Sequence, residues 1–316
     1  MQQPFISICI PTYKRPHLLK KLLDSIRIQT FTDFEILIND NSPDDSVQVL
    51  LKDYQSILSI CYEKNEPAVS AGMNTLKVMR RAGGSWIKLM HDDDWFEEGD
   101  ALAIFADEAL HSGKPFIFCA SNQVQLQTGQ SKAAMFDTEK KRMLDDSPFC
   151  LFYQNVIGQP SVAMHKNDPA IQYDAGFNFL LDIDFYMRYL LAHPGYQYID
   201  KALINIGISP QQETYRYYKN INVELKEYFI LLSKFEEDLS LKNQYAFHLI
   251  WNMLKRYKIN NAAQIYATGY QGPMPPTMNG IIAFQKYIPH IILKQTPWSK
   301  KLMQCCFYKI TGKKAV

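Results

Sequence analysis

Apolar residues recur along the first 120 positions in two alternating rhythms. Short, nearly continuous apolar runs predict strands at Phe5–Ile10, Phe34–Asn39, Ile57–Glu63, Ser85–Met90 and Pro115–Ser121. Between them the spacing changes to the three-and-four repeat of a helix with one buried face. Leu18, Leu19, Leu22, Leu23 and Ile26 follow Pro16 in this way. Ser42 as N-cap, Pro43 at the first helical position and the acids Asp44 and Asp45 predict another helix start. Further helices are expected over Val69–Arg81 and about 100–112. Strands separated by helices mean βαβ units and a mainly parallel sheet, so the fold class is α/β.

Residues 122–210 are less regular. They contain a polar stretch over 122–147, strands near Ser161–Lys166 and Tyr196–Ile206, and a helix around Leu180–His193. From about 215 the pattern turns helical. Leu225, Phe229, Leu232, Phe235 and Leu239 form one stripe, and Phe247, Ile250, Trp251, Leu254 and Tyr257 a second, while 271–279 reads as a loop. The expected organisation is an α/β domain over 1–214, in halves of about 1–120 and 121–214. A helical C-terminal extension follows over 215–316.

Composition narrows the classes. Of 316 residues, 47% are hydrophobic and 21% charged, a globular balance able to bury a core without disulfides or structural metals. A net charge of +2 argues against a general nucleic-acid binder. Residues 281–316 nevertheless hold seven lysines and no acid, which leaves the rest of the chain at −5. These lysines alternate with Ile281, Ile282, Phe284, Ile288, Ile291, Ile292, Leu293, Trp298, Leu302 and Phe307. The tail is therefore expected to touch an anionic membrane surface. The competing reading packs those apolar residues on the α/β domain and leaves the lysines solvated.

Cys9, Cys61, Cys119, Cys150, Cys305 and Cys306 include no CxxC pair and read as buried free thiols of a reducing compartment. The first residues lack a basic n-region and Pro11 interrupts their apolar run, so a signal peptide is not expected. No run approaches the roughly 18 apolar residues of a membrane span. The expected location is cytoplasmic, at most peripheral on the inner face of the membrane.

Neither GxGxxG nor GxxxxGK[ST] occurs, and HExxH and GxSxG are absent too. The chemistry gathers at strand ends, beyond which open α/β sheets bind ligands. The first strand leads into Pro11-Thr12-Tyr13, the second into Asn39-Asp40-Asn41-Ser42, and the fourth into His91-Asp92-Asp93-Asp94-Trp95. Three consecutive carboxylates after a buried strand are costly unless a cation compensates, and hard oxygen ligands suit Mg²⁺ or Mn²⁺. The blander reading is a solvated acidic turn, extended by Glu97, Glu98 and Asp100.

The order Ile-Pro-Thr-Tyr-Lys-Arg-Pro, Asn-Asp-Asn-Ser, Asn65 to Asn74, then Gly-Gly-Ser-Trp-Ile-Lys-Leu-Met-His-Asp-Asp-Asp resembles glycosyltransferase family 2 of the GT-A fold. The resemblance is close over 5 to about 105 and looser to about 215. It implies that Pro11, Thr12 and Tyr13 line the base and ribose of a nucleotide, and that Asp40 bonds the base. It further implies that the Asp92-Asp93 pair fills the DXD role. Asp92 would then touch ribose, and Asp93, with Asp94 as runner-up, would hold Mn²⁺ or Mg²⁺. His91 stands where the commoner pattern has an acid, and Met73 where many members carry a basic residue.

The family also places a general base on a later helix. The matching segment is Leu180-Leu181-Asp182-Ile183-Asp184-Phe185-Tyr186-Met187-Arg188, with Leu181 where a glutamate is common. Asp182 and Asp184 lie about 200° apart on a helix, so one of them at most faces a given cleft. Asp184 can pair with Arg188 at i+4 on the surface. Asp182 is thus expected as the base, with Asp184 as runner-up.

The implied activity is metal-dependent, inverting transfer of a sugar from a nucleotide-diphosphate donor, UDP-linked, to a glycan or lipid-linked glycan in bacterial surface-polysaccharide assembly. The alternative is a non-catalytic nucleotide-sugar-binding module of the same fold, supported by His91, Met73 and Leu181. A haloacid-dehalogenase-type phosphotransferase would leave Pro11-Thr12-Tyr13 and Asp40 unexplained.

Overall fold

In the computed structural model, which describes residues 3–210, 212, 217–235, 244–294 and 296–312, the first apolar run forms β1 (Ile6–Thr12). Ile6, Ile8, Cys9 and Ile10 are fully buried because β1 lies inside the sheet. After α1 (Pro16–Arg27), β2 (Phe34–Asp40) pairs with β1 in parallel. α2 (Ser46–Leu51) and β3 (Ile60–Lys64) follow, and β3 pairs in parallel with β2. α3 (Ala71–Arg80) then leads to β4 (Trp86–Leu89), which pairs in parallel with the other side of β1. The sheet therefore reverses direction of growth between β1 and β4, the switch point at which open α/β sheets take ligands.

Beyond β4 come β5 (Trp95–Phe96), α4 (Ala101–His111), β6 (Phe116–Gln125), β7 (Ser131–Ala134) and α5 (Thr138–Asp146). β8 (Ala163–Lys166), α6 (Leu181–Ala192) and β9 (Gln197–Ile208) complete the α/β part. The strand order is β3-β2-β1-β4-β8-β6-β9-β5, with β7 on β6. The long ladders, including β6 with β9, are parallel, and the short ones through β8, β5 and β7 are antiparallel. The α/β class read from the alternation holds.

Local departures from the sequence reading have physical causes. Ser42 does not cap a helix: its hydroxyl accepts from the Lys14 amide at 2.8 Å and its own amide donates to Asp40 Oδ1 at 2.8 Å. With Ser42 drawn into the strand-end turn, α2 starts only at Ser46. The polar stretch 122–147 is structured, because β6 runs on to pair with β7, and Asp137 caps α5 by accepting from the Lys140 amide. Cys61, on edge strand β3, and Cys305 are exposed, against the expectation of burial, whereas Cys9, Cys119, Cys150 and Cys306 are buried; all six are free.

The chain divides into two compact units, one of Met1–Pro148 with Asn155–Gln212, the other of Phe149–Gln154 with Glu213–Val316. Position 214, the expected domain boundary, and Leu239 of the first stripe lie outside the described residues. The second unit is helical: α7 (Ile221–Lys234), α8 (Gln244–Arg256), α9 (Ala262–Tyr266), α10 (Pro276–Lys286), α11 (His290–Lys294) and α12 (Thr296–Thr311). Its core is formed by Leu225, Phe229 and Leu232 with Phe247, Ile250, Trp251 and Leu254. The Trp251 indole donates to Ser299 Oγ at 3.1 Å, and the Phe247 and Phe307 rings meet edge-on at 5.1 Å. Residues 271–279 are not loop throughout. Pro276 opens α10 from the first helical position, where its missing N–H costs nothing, and Met278 is fully buried.

Candidate active site

The register of the parallel strands places Thr12 beside Asp40, and Cys9 beside Leu89 near the end of β4. Thr12-Tyr13, Asp40-Ser42 and His91–Asp94 thereby come to one edge. Thr12 Oγ1 donates to Asp92 Oδ2 at 2.7 Å and the Tyr13 amide donates to the same oxygen at 3.2 Å. Tyr13 itself is exposed, with Lys14 Nζ 5.0 Å from its ring centre. Lys14 adopts φ 57°, unusual for a residue with a side chain, and Ser42 holds that turn through the Lys14 amide.

Asp40 is fully buried, its Oδ1 taken by the Ser42 amide and its Oδ2 by the Tyr62 hydroxyl at 2.9 Å. A net of asparagines supports the same edge. Asn41 exchanges bonds with the Val69 backbone, Asn65 donates to Asn74 Oδ1 at 2.7 Å, and Asn74 Nδ2 reaches the Thr12 and Asn39 carbonyls. Lys77 donates to Asn65 Oδ1 at 2.8 Å. Asn65 and Asn74, part of the sequence pattern, are thus scaffold for the strand ends.

Asp92, Asp93 and Asp94 are all buried. The Arg15 guanidinium bridges the first two, one nitrogen on Asp92 Oδ1 and the other 2.7 Å from Asp93 Oδ2. Asp94 Oδ1 accepts from the Gly207 amide at 3.1 Å. A Cβ on Gly207 would lie 2.3 Å from the Asp93 carbonyl oxygen, so glycine lets β9 come this close. The His91 amide donates to Ser161 Oγ at 3.0 Å. Ser161 is in turn held by buried Lys88, whose ammonium donates to the Ser161 and Ala163 carbonyls.

Burial raises the Asp92 carboxyl to about 6 against the opposing pull of Arg15. It raises Asp94 well above the carboxylate range, with Asp93 adding repulsion, and lowers the His91 imidazole. One guanidinium does not balance three buried carboxylates, and the surplus negative charge favours a further cation. One ligand atom each of His91, Asp93 and Asp94 lies within 4.8 Å of the others, a donor set that fits a divalent ion. Arg15, already seated between Asp92 and Asp93, occupies the place of a positive charge.

The α6 acids are treated differently. Asp184 is fully buried and Arg188 grips its Oδ2 through Nε at 2.9 Å and Nη2 at 2.6 Å, while Nη2 also donates to the Gln172 carbonyl. The expected surface pair is therefore a buried one on the aspartate side, with Asp184 fully buried and 26% of the Arg188 side chain exposed. Asp182 is partly exposed in the first turn, accepting from Asn155 Nδ2 at 3.0 Å and from the Ile183 amide at 2.9 Å. The segment entering α6 packs on the start of α3. A Cβ on Gly72 would lie 2.3 Å from the Phe177 carbonyl oxygen, so glycine is needed there.

Arg15 was visible inside Pro-Thr-Tyr-Lys-Arg but carried no role in the sequence reading. Ser161, Gly207 and Asn155 gave no local signal, since each reaches the site from more than 25 residues away from the acid it serves.

A family profile described as "Glycosyl transferase family 2" matches residues 7–173, just over half of the chain. An uncharacterized protein of Mycobacterium tuberculosis is 27% identical over 212 residues, 60% of this chain and 63% of that protein. A Campylobacter jejuni protein named GalNAc(5)-diNAcBac-PP-undecaprenol beta-1,3-glucosyltransferase is 34% identical over 110 residues, 34% of this chain and 35% of its own. The chain thus spans less than two thirds of either relative's length. Among solved structures, S. aureus TarS 1–349 in complex with UDP-GlcNAc aligns with a TM-score of 0.59 at 14% identity, covering 97% of this chain and 81% of that one. Mannosyltransferase PcManGT from Pyrobaculum calidifontis, in complex with GDP-Man and Mn²⁺, gives 0.59 at 12% identity over 99% and 87%. At such identities the likeness is one of fold.

Proposed function

The chain belongs to glycosyltransferase family 2, a family of transferases with the GT-A fold, and from that premise we propose that it moves a sugar from a nucleotide-diphosphate donor to a hydroxyl of a glycan with inversion. The observation that carries the reading is the convergence of the β1, β2 and β4 ends on His91, Asp93 and Asp94, whose ligand atoms lie within 4.8 Å of one another. The UDP-GlcNAc and GDP-Man complexes of structural neighbours support a nucleotide-sugar donor.

In this reading Tyr13 stacks on the base, and Pro11 and Thr12 line it with the ribose. Asp40, preorganised by Ser42 and Tyr62, bonds the base edge. Asp92, fixed by Thr12 and the Tyr13 amide, faces the ribose. Asp93 holds Mn²⁺ or Mg²⁺, with His91 and Asp94 as the accompanying donors. When bound, the ion supplies Lewis-acid neutralisation of the leaving diphosphate. Asp182, positioned by Asn155, accepts the proton of the attacking hydroxyl. Asp184 is committed to Arg188.

The acceptor is a saccharide or lipid-linked saccharide of surface-polysaccharide assembly, in keeping with the undecaprenol-linked acceptor in the C. jejuni relative's name. The protein acts in the cytoplasm against the inner face of the membrane, with the exposed side of the basic C-terminal helices toward lipid. No described helix is long and apolar enough to cross a membrane.

Thermal shift against a panel of nucleotide sugars, with and without Mn²⁺, tests the donor chemistry. Ligand at 100 times its Kd adds about 2.7 kcal/mol to stability. A shift with one nucleotide class that grows with Mn²⁺, followed by metal-dependent donor hydrolysis, is expected. Binding without turnover or hydrolysis would favour the non-catalytic module, for which His91, Met73 and Leu181 speak.

A further inference from the structure

After Asp238 the chain contains no further acid: its remaining cations are Lys242, Lys255, Arg256, Lys258, Lys286, Lys294, Lys300, Lys301, Lys309, Lys313 and Lys314. The helical unit buries some apolar residues of this stretch, half-buries Phe284, Ile288 and Leu302, and leaves others outside. Ile281, Ile282, Leu293 and Phe307 are buried in its core, which removes them from any membrane-facing set. Tyr287, Ile291, Trp298 and Tyr308 stand out from it, 81%, 71%, 59% and 56% exposed, with Ile292 less so.

The exposed set has a pattern. On α12, Ser299, Met303, Cys306 and Phe307 point inward, and the opposite face reads Trp298, Lys301, Cys305 and Tyr308, at intervals of three and four. Lys300 and Lys309 flank that face. α11 adds Ile291, Ile292 and Lys294 immediately before it. Lys255 of α8 lies on the other side of α12, against inward-pointing Ser299. Lys255 donates to Ser299 Oγ at 3.3 Å, and His290 is lowered by desolvation and then by Lys294, Lys258 and Lys255. His248 is lowered likewise, by desolvation and by Lys255 and Lys300. Lys294, Lys300, Lys301 and Lys309, all exposed, thus lie on or beside the outer face with no carboxylate on their own helices to neutralise them.

Crowded lysines alone would suit any polyanion. Exposed tryptophan, isoleucine and tyrosine among them do not, because they gain nothing from a hydrated polymer and much from the headgroup–acyl boundary. Lysine stems can lie along that boundary with their ammonium groups at the phosphates. We infer that the outer face of α11 and α12, centred on Ile291, Trp298 and Tyr308 and ringed by Lys294, Lys300, Lys301 and Lys309, docks on a bilayer rich in anionic phospholipid. This sharpens the membrane part of the reading above and does not depend on the donor chemistry.

Flotation of the full chain with phosphatidylcholine vesicles, and with vesicles containing about one third phosphatidylglycerol, tests it. Each lysine near an anionic surface adds roughly fivefold to partitioning. The wild type should float with the anionic vesicles only, and 0.5 M salt, which shortens the Debye length to about 4 Å, should weaken it. Lys294→Glu/Lys300→Glu/Lys301→Glu should lose about 100-fold or more. Ile291→Glu/Trp298→Glu should lose at least about tenfold, because two exposed apolar anchors are removed. Both variants alter exposed side chains and should keep the wild-type melting temperature and UDP binding.

Intact UDP binding with no flotation by the wild type overturns this inference and leaves the donor reading standing. Flotation unchanged in Ile291→Glu/Trp298→Glu overturns it as well. So does equal binding of soluble polyphosphate by wild type and that variant, which would make the face a polyanion site. Sedimentation showing a dimer that the same substitutions dissociate would assign the face to a second copy and overturn it too.

Discussion

Arg15 and Arg188 each leave 26% of the side chain exposed, and each holds an aspartate that is fully buried. Their surroundings differ in charge balance. Arg188 faces one carboxylate four residues away on its own helix and adds a bond to the Gln172 carbonyl. Arg15 reaches across 77 and 78 residues to two carboxylates, with Asp94 beside them. The first arrangement is electrically closed and keeps α6 in place. The second sets one guanidinium against three buried carboxyls, and desolvation, with repulsion from Asp93 added, raises Asp92 and Asp94. Two arginine–aspartate pairs of equal exposure thus differ in balance: Asp184–Arg188 is a strut, while Arg15 is shared among more carboxyls than it can neutralise, where we propose that a cation binds.

The sharpest way to break this comparison is at Asp93. Asp93→Ala should abolish Mn²⁺-dependent UDP binding by calorimetry while the melting temperature stays near wild type, because Arg15 keeps its bond to Asp92 and the loss relieves the repulsion of buried Asp94. Unchanged metal dependence would remove Asp93 from the cation site.

Next in size is Asp182. Asp182→Asn keeps the shape and one accepting oxygen, enough for the Asn155 amide or the Ile183 amide but not both, so donor affinity should hold while the transfer rate falls by about 10²–10⁴-fold. Steady-state rates with donor Kd for this variant and for Asp184→Asn decide between the two acids. A dead Asp184→Asn beside a normal Asp182→Asn would reverse their roles.

Asp184→Asn should show instead in stability. An exposed i,i+4 pair is worth a few tenths of a kcal/mol. Here the aspartate is buried, and its loss should cost about 2–3 kcal/mol, less than the roughly 3–5 of a fully buried pair because Arg188 remains partly solvated. Urea unfolding midpoints measure it; a change within a few tenths would mean the pair is no strut.

The smallest effect is expected at Arg15. Removing the guanidinium that competes for Asp92 and Asp93 should tighten nucleotide-free Mn²⁺ binding by about three- to tenfold in Arg15→Gln, the scale of one partly exposed ion pair. Paramagnetic titration of Mn²⁺ reads it directly. Weaker metal binding would show that Arg15 supports the turn rather than standing in for a cation.

Most of the α/β order was legible because it rests on local periodicity: the buried strands β1, β2 and β4 and the stripe of α1 are written in consecutive residues. The start of α2 was not, because Ser42 has two possible partners, and the one that wins, the Lys14 amide, is 28 residues away. The same holds for the acids. That His91–Asp94 follow a buried strand is a statement about neighbours in sequence. That they meet Arg15, Ser161 and Gly207 is not.

The sequence by itself therefore determined the alternation of strands and helices, the carboxyl-end clusters, the Asp184–Arg188 spacing and the acid-free basic tail. All of these depend on residues within a few positions of one another. Tertiary structure alone decided which acids share a cation, that Asp184 is buried rather than on the surface, and which apolar residues of the tail are left outside. Those outcomes depend on desolvation, and the solvent a side chain loses is set by elements packed against it from distant parts of the chain.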